Sequence, residues 1–288
     1  MTPNPLLIAL ILSATFLVLF AIERFAPLRA PRGELARRLL VNLCVSAIAI
    51  GTAYFVVAPA AKASLQYVAI ERVGLLRWVE LPAALELMIG FALVDLSFYY
   101  WHVANHKIPF LWRFHNVHHI DPDLDVSTAF RFHFGEVVLS AGLRVLQIVL
   151  LGISPLTFAT YEIVFQINTL VQHSNIRLPL AVERLLNKVL VTPRMHGVHH
   201  SHVRREDNSN FSVVFSWWDR LHRTLILNIA QSRIVIGIPA YLEPDNNKVR
   251  SVLLLPFRPQ RDYWRMEDGR TVERAELETG IASRIMES

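Results

Sequence analysis

The chain has 288 residues, of which 53% are apolar and 18% charged, against roughly 45–50% and 25% in soluble domains. The apolar excess is gathered in long runs, which points away from a soluble single-core protein and toward one domain with several membrane spans. The net charge of +5 comes without a clustered basic stripe or a nucleic-acid motif, so no nucleic-acid partner is expected and an anionic lipid surface accounts for it better.

The N-terminus lacks the basic region of a secretory signal and shows no small-residue cleavage site, so the first apolar run, residues 5–22, is read as a retained anchor. A second run covers 39–61 and a third 81–100, each near the ~20 residues that cross a bilayer core. Residues 137–171 are too long for one span and are punctuated by Gly152 and Pro155. They read as a hairpin of two short, re-entrant segments, with Arg144 and Gln147 weakening the first. After His222, three short apolar stretches (225–227, 234–236 and 252–255) are β-rich, and 258–288 reads as a short amphipathic helix with a frayed end. The single cysteine, Cys44, lies inside an apolar run, which rules out an internal disulfide and a thiolate metal site.

Orientation follows from basic residues. The loop between the first two spans holds Arg24, Arg29, Arg32, Arg37 and Arg38, whereas nothing basic precedes the first span. That loop is expected in the cytoplasm, although the opposite loop carries Lys62, Arg72 and Arg77 and blurs the bias. Three crossings and a returning hairpin then place 102–133 and everything from Arg177 onward on that same cytoplasmic face. The expected architecture is an all-α integral membrane protein with about four transmembrane helices. These carry a cytoplasmic-side, histidine-rich helical metal domain and a short β-containing tail. Its divisions are a membrane anchor (1–80), a catalytic core (81–222) and a C-terminal tail (223–288). The membrane is a bacterial inner membrane or one of endoplasmic-reticulum type.

All twelve histidines fall between His102 and His222. Eight form three clusters: His102 with His106; His115 with His118 and His119; and His196 with His199 and His200. Residues three and four apart share one helical face, so each cluster can aim two or three imidazoles at one point. Eight imidazoles exceed the need of one ion, which argues for two, and neutral imidazole suits iron, zinc, copper and nickel. A zinc hydrolase is disfavoured because no cluster encloses an acid to act as general base. A zinc transporter is disfavoured because its ligands belong along the spans rather than at one face. The remaining alternative to an oxygen-activating enzyme is a non-catalytic membrane protein with a structural dinuclear zinc centre.

The run Asp95-x3-Tyr99-x2-His102-x3-His106, then His115-x2-His118-His119, then His196-x2-His199-His200 resembles the fatty acid hydroxylase/sterol desaturase superfamily. Flanking segments extend the likeness from about residue 85 to 257, including Ser127–His133 with Glu136, Gln172-His173, Asn210-Phe211 and Trp218-Asp219-Arg220-Leu221. The resemblance implies an integral-membrane di-iron enzyme that uses O2 and two electrons to hydroxylate or desaturate a lipid, with zinc able to replace iron in purified protein. It carries the eight box histidines over as ligands, with His173 as a ninth. His133 is left between a ligand and a supporting role. Departures fall at Asn208, Ser212 and His222-Arg223, where relatives carry Asp, Gly and Phe-Gly. Ligand histidines usually donate their second N–H to a carboxylate or carbonyl, and Asp95, Glu136 and Asp219 are the expected orienters. For Asp219 the alternative is a salt bridge to Arg220 or Arg223. No reductase segment is recognised, so electrons are expected from a separate ferredoxin or cytochrome-b5-type donor. Arg204, Arg205, Arg220 and Arg223 are equally suited to an acidic carrier and to lipid phosphates.

Overall fold

The computed structural model describes residues 4–32 and 34–274. Its first helix, α1 (Pro5–Phe25), starts where the Asn4 side chain accepts the Leu6 N–H at 2.9 Å. It is apolar on nearly every side, and only 11% of its most apolar window is buried by the rest of the protein. A helix of that composition needs an apolar surround, which is lipid.

The next helical run is continuous: α2 (Leu35–Thr52), a π-helical turn (Ala53–Val57) and α3 (Ala58–Glu71). At about 1.5 Å per residue it is roughly 55 Å long, well beyond a ~30 Å bilayer core. Its first turns belong to the metal-binding half. Val41 and Val45 pack with Trp112, Val117 and Ile120, and Asn42 donates to Asp121 at 2.9 Å. Ala61 and Val68 instead pack with Val94, Phe98 and Ile148 among the spans. The segment long and apolar enough to cross a membrane, Leu35–Arg77, contains the expected 39–61 and extends beyond it.

The third long helix, α4 (Ala83–Lys107), is followed at once by α5 (Pro109–His119), with proline at the first helical position where its missing N–H costs nothing. The pair α6 (Phe134–Leu151) and α7 (Pro155–His173) forms the hairpin. Neither arm is short: they are 18 and 19 residues long and run between the histidine-rich end and a turn at Gly152. That turn is locked to the α3–α4 loop by Arg77 Nε donating to Gly152 O at 2.6 Å. Glu86 of α4 accepts the Ser154 N–H at 3.0 Å and so caps α7. Among the described residues four helical segments are long and apolar enough to cross a membrane, α7 not among them because of polar residues such as Glu162 and Asn168.

Short helices follow among the described residues: α8 (Leu180–Leu186), α9 (Pro193–His199), α10 (Arg204–Asp207), α11 (Trp217–His222) and α12 (Val249–Leu254). The β-rich tail did not form as expected. Among the described residues β-pairing is limited to isolated bridges, one of them Ser201 with Ile236, and 252–255 is helical, with Val252 and Leu255 in the core built on α2. Residues 258–274 are not helical, and the rest of the expected amphipathic helix lies outside the described residues.

The α1–α2 loop lies at the same end of the bundle as the histidines. Glu23 accepts the Asn175 N–H at 2.9 Å, and Arg38 pairs with Asp121 at 3.3 Å and with Asp125. Buried Arg131 ties this end together, donating to Asn42 Oδ1 (2.8 Å), Asn247 Oδ1 (2.7 Å) and the Val117 carbonyl (2.9 Å). Its charged partner is Asp121 at 3.7 Å, and leaving such a buried guanidinium without its carboxylate would cost about 3–5 kcal/mol.

Candidate metal centre

Four elements converge on one buried volume. His102 and His106 occupy successive turns at the end of α4. The tight step into α5 turns the chain back so that His115, His118 and His119 face the same volume. His173 is the last residue of α7. His196, His199 and His200 come from α9, whose N-terminus is capped by Thr192.

The nine rings form two groups. His102, His106, His115, His119 and His199 make one; His118, His173, His196 and His200 make the other. Within each group one nitrogen per residue lies within 4.8 Å of all the others. In the five-ring group the Nδ1 side faces outward onto fixed partners: His102 onto Phe211 O (2.8 Å), His106 onto Asp207 Oδ2 (3.1 Å), His115 onto Glu136 Oε1 (2.8 Å) and His199 onto Ser209 O (2.7 Å). His119 Nδ1 lies 2.9 Å from Asp207 Oδ1, out of line for a straight hydrogen bond. The Nε2 atoms of His106, His115, His119 and His199 are buried and have no hydrogen-bond partner among the described residues.

In the four-ring group His173 donates from Nδ1 to its own helix at Thr169 O (2.8 Å). Its Nε2 then meets those of His118 and His196, each at 3.0 Å, and His196 Nε2 meets that of His200 at 3.1 Å. Two nitrogens about 2.1 Å from one ion and at right angles to each other lie about 3.0 Å apart, against about 3.4 Å for tetrahedral ligands. The observed contacts match the former. Lone pairs converging in a buried pocket repel, and a cation between them converts that repulsion into ligation. The residues present therefore fit metal ions.

Electrostatics point the same way. Burial, reinforced by the neighbouring imidazoles, holds His118, His119, His196 and His200 well below the ordinary histidine range. Burial likewise pushes His199 down to about 3. Neutral imidazole is the form that binds metal. The same burial pushes the Asp207 carboxyl well up, opposed by Lys107.

All nine histidines expected as ligands are thus brought together, His173 included. Of the three expected orienters only Glu136 touches a box ring. Asp95 does not: its carboxylate accepts from Val214 N, Phe215 N, Trp218 Nε1 and Tyr161 OH. Seven residues before His102 is the correct face, but about 10 Å below it along the helix. Asp219 is also one step removed, accepting from Phe211 N (2.8 Å) and Ser212 N (2.9 Å), and so fixing the turn whose Phe211 carbonyl backs His102. It forms no ion pair with Arg220 or Arg223 among the described residues. The carboxylate that sequence reasoning missed is Asp207, fully buried against the rings of His106 and His119.

His133 stands outside the cluster. Its Nδ1 accepts the Gly135 N–H at 3.0 Å, capping α6, and its Nε2 meets Leu253 O at 3.1 Å. Both nitrogens are engaged away from the two groups of rings, which it does not join. His222 stacks on Tyr99 at 4.7 Å, as an aromatic residue would there.

Fold and site together define a class: a helical protein with four described segments long and apolar enough to cross a membrane, which gathers nine histidines from four elements into two groups that could hold metal ions. Residues 87–224 match the fatty acid hydroxylase family, so this part of the chain resembles the fatty acid hydroxylase/sterol desaturase superfamily. Cholesterol 25-hydroxylase of Homo sapiens is 29% identical over 167 residues, covering 53% of this chain and 60% of that protein. Ornithine lipid hydroxylase OlsE of Rhizobium tropici is 31% identical over 157 residues, covering 54% and 46%. Alkylglycerol monooxygenase of Homo sapiens is 29% identical over 152 residues, covering 50% and 31%. The chain thus spans less than two thirds of the length of each of these relatives. No solved structure matches it.

Proposed function

We propose that the chain is a membrane-bound di-iron oxygenase that hydroxylates a lipid C–H bond, with residues 81–222 as its catalytic unit. The reaction balances as R–H + O2 + 2 electrons + 2 protons giving R–OH + H2O. One observation carries the reading: two adjacent all-imidazole groups, one of five rings and one of four, buried at the end of lipid-facing helices. Bound iron would supply oxygen activation and hydrogen abstraction, which no side chain provides.

The chain's own residues do the rest. Asp207 and Glu136 hold the Nδ1 side of ligand rings and so fix which nitrogen faces the ions. The apolar spans admit a lipid from the bilayer to the end where the rings lie, and burial excludes water from it. The Arg-rich α1–α2 loop at that end favours a cytoplasmic placement. Hydroxylation is preferred to desaturation because the three relatives are named as hydroxylases or a monooxygenase. Their lipids differ in chemistry, so no particular lipid is assigned. Electrons come from a separate ferredoxin or cytochrome-b5-type protein.

The test is purification in detergent, iron reconstitution and mass spectrometry of lipid extracts from cells with and without the protein. Two irons per chain and a lipid heavier by one oxygen atom are expected. Two tightly held zinc ions, with no lipid changed after iron reconstitution, would overturn the reading in favour of a structural metal centre.

A further inference from the structure

Resting on the oxygenase reading, we propose that electrons enter through the cavity behind His106, from an acidic one-electron carrier protein, along Trp264 and Trp112. The cavity, of about 1260 Å3, is bounded by His106, Asp207, Trp112, Tyr263, Trp264 and apolar residues of 225–229. It touches His106 together with Asp207 and Trp112, the groups packed behind that ring. A substrate carbon placed here would be screened from the ions by imidazole. An electron needs no open coordination position, only conjugated groups in close succession, because tunnelling falls steeply with distance.

Such a succession is present. Trp264 is half-buried at the cavity wall and stacks on Trp112, centroids 6.4 Å apart at 23°. Trp112 is buried and lies 4.8 Å from His106 and 5.3 Å from His119, one ring from each of α4 and α5. These are the two rings that share Asp207. In each transfer the carrier's redox group is oxidised by one electron and the metal held by His106 and His119 is reduced by one. No bond forms or breaks, and two transfers supply the two electrons of the reaction.

Charge selects the occupant. Lys107, Arg204 and Arg205 are exposed around the cavity, and Arg204 and Arg205 have no carboxylate partner among the described residues. Arg274 is neutralised by Glu206, Glu273 is an exposed acid against three exposed cations, and Lys107 Nζ donates to Asn208 Oδ1 at 2.6 Å and lies 6.0 Å from the Phe211 ring. A basic rim around an aromatic floor suits an acidic protein surface that brings a redox group to its centre.

The probe is a reduced plant-type [2Fe–2S] ferredoxin, with dithionite as a reductant that needs no docking. Binding is measured on zinc-loaded protein, independently of turnover, and reduction of the iron-loaded protein by stopped-flow absorbance. The R204E/R205E variant should bind ferredoxin ~10-fold more weakly at low salt, with the difference shrinking at high salt. W264L should lower the limiting reduction rate at saturating ferredoxin ~10-fold relative to its dithionite rate, with half-saturation unmoved, and W264F should fall between. Ferredoxin binding indifferent to the charge reversal, or ferredoxin and dithionite rates that keep their ratio in W264L, overturns the port while leaving the oxygenase intact. Charge-dependent binding of phosphatidylglycerol vesicles without ferredoxin binding overturns it in favour of a lipid-headgroup surface. An iron centre that neither reductant reduces overturns the oxygenase reading and the port together.

Discussion

At residue scale Asp207 has a double role, because one carboxylate stands behind box histidines from two helices. An amide keeps its shape but replaces one acceptor oxygen with an N–H donor, which then faces a ring N–H. Asp207→Asn should therefore cost about 10–100-fold in metal affinity, the range for groups that orient ligands. Glu136→Gln should cost less, since it backs one ring and the amide oxygen can still accept from His115. Competition titration against a chelator checks the order, and equal losses would contradict the shared role of Asp207. The difference in legibility between these two acids has a physical cause. Glu136 lies three residues after His133 in a segment that resembles relatives. Asp207 ends the run Arg204-Arg205-Glu206-Asp207, which reads as a solvated face and becomes buried only when α10 folds against the end of α4. Asp95 shows the converse error, since helical spacing gives a direction but not a reach.

At the scale of elements, α11 ends in a conformation that its sequence does not favour. Arg223 has φ 59° and ψ 32°, left-handed, at the cap position where the family resemblance leads one to expect glycine. A side chain there costs about 1 kcal/mol, and Arg223 is exposed with no partner among the described residues to offset it. Arg223→Gly should raise the thermal midpoint in detergent by about 2–4 °C, whereas Arg223→Ala should leave it nearly unchanged. A fall on introducing glycine would contradict the left-handed cap. Ser212, another departure from the family, fits without strain because its hydroxyl accepts the Asp219 N–H at 3.1 Å. The tail was misread as β for a related reason. Apolar runs of three or four residues carry no usable period, and Val252 with Leu255 pack as one helical face on α2. The long helices were legible because each run of ~20 apolar residues has only one viable structure in lipid. Their exact bounds were less legible, since one face of the first turns of α2 (Arg38, Val41, Asn42, Val45) packs on protein while Leu40 and Leu43 stay exposed.

For the whole molecule, the histidine boxes and the shared bundle end were readable from spacing and span parity, whereas the partition of nine rings into five and four depends on how α5 and α9 cross. That partition buries many neutral imidazoles at once, with a consequence for stability. His199 sits at about 3 when folded, and His118, His119, His196 and His200 are also held well below their ordinary value of 6.5. Above that value the folded and unfolded chains carry the same protons and these rings give stability no pH dependence. Below it the unfolded chain takes up protons that the folded chain refuses, so stability falls as pH drops from about 6.5 toward 3, by up to about 1.4 kcal/mol per ring per pH unit. Bound metal competes with those protons, so the loaded protein should hold out to lower pH and release its ions as it takes protons up. Thermal midpoints of metal-free protein should be flat above about pH 7 and fall steeply toward pH 5, with the metal-loaded curve displaced to the acid side. A metal-free midpoint that stays level across that interval would mean the rings are solvated, and the buried nine-histidine centre would have to be abandoned.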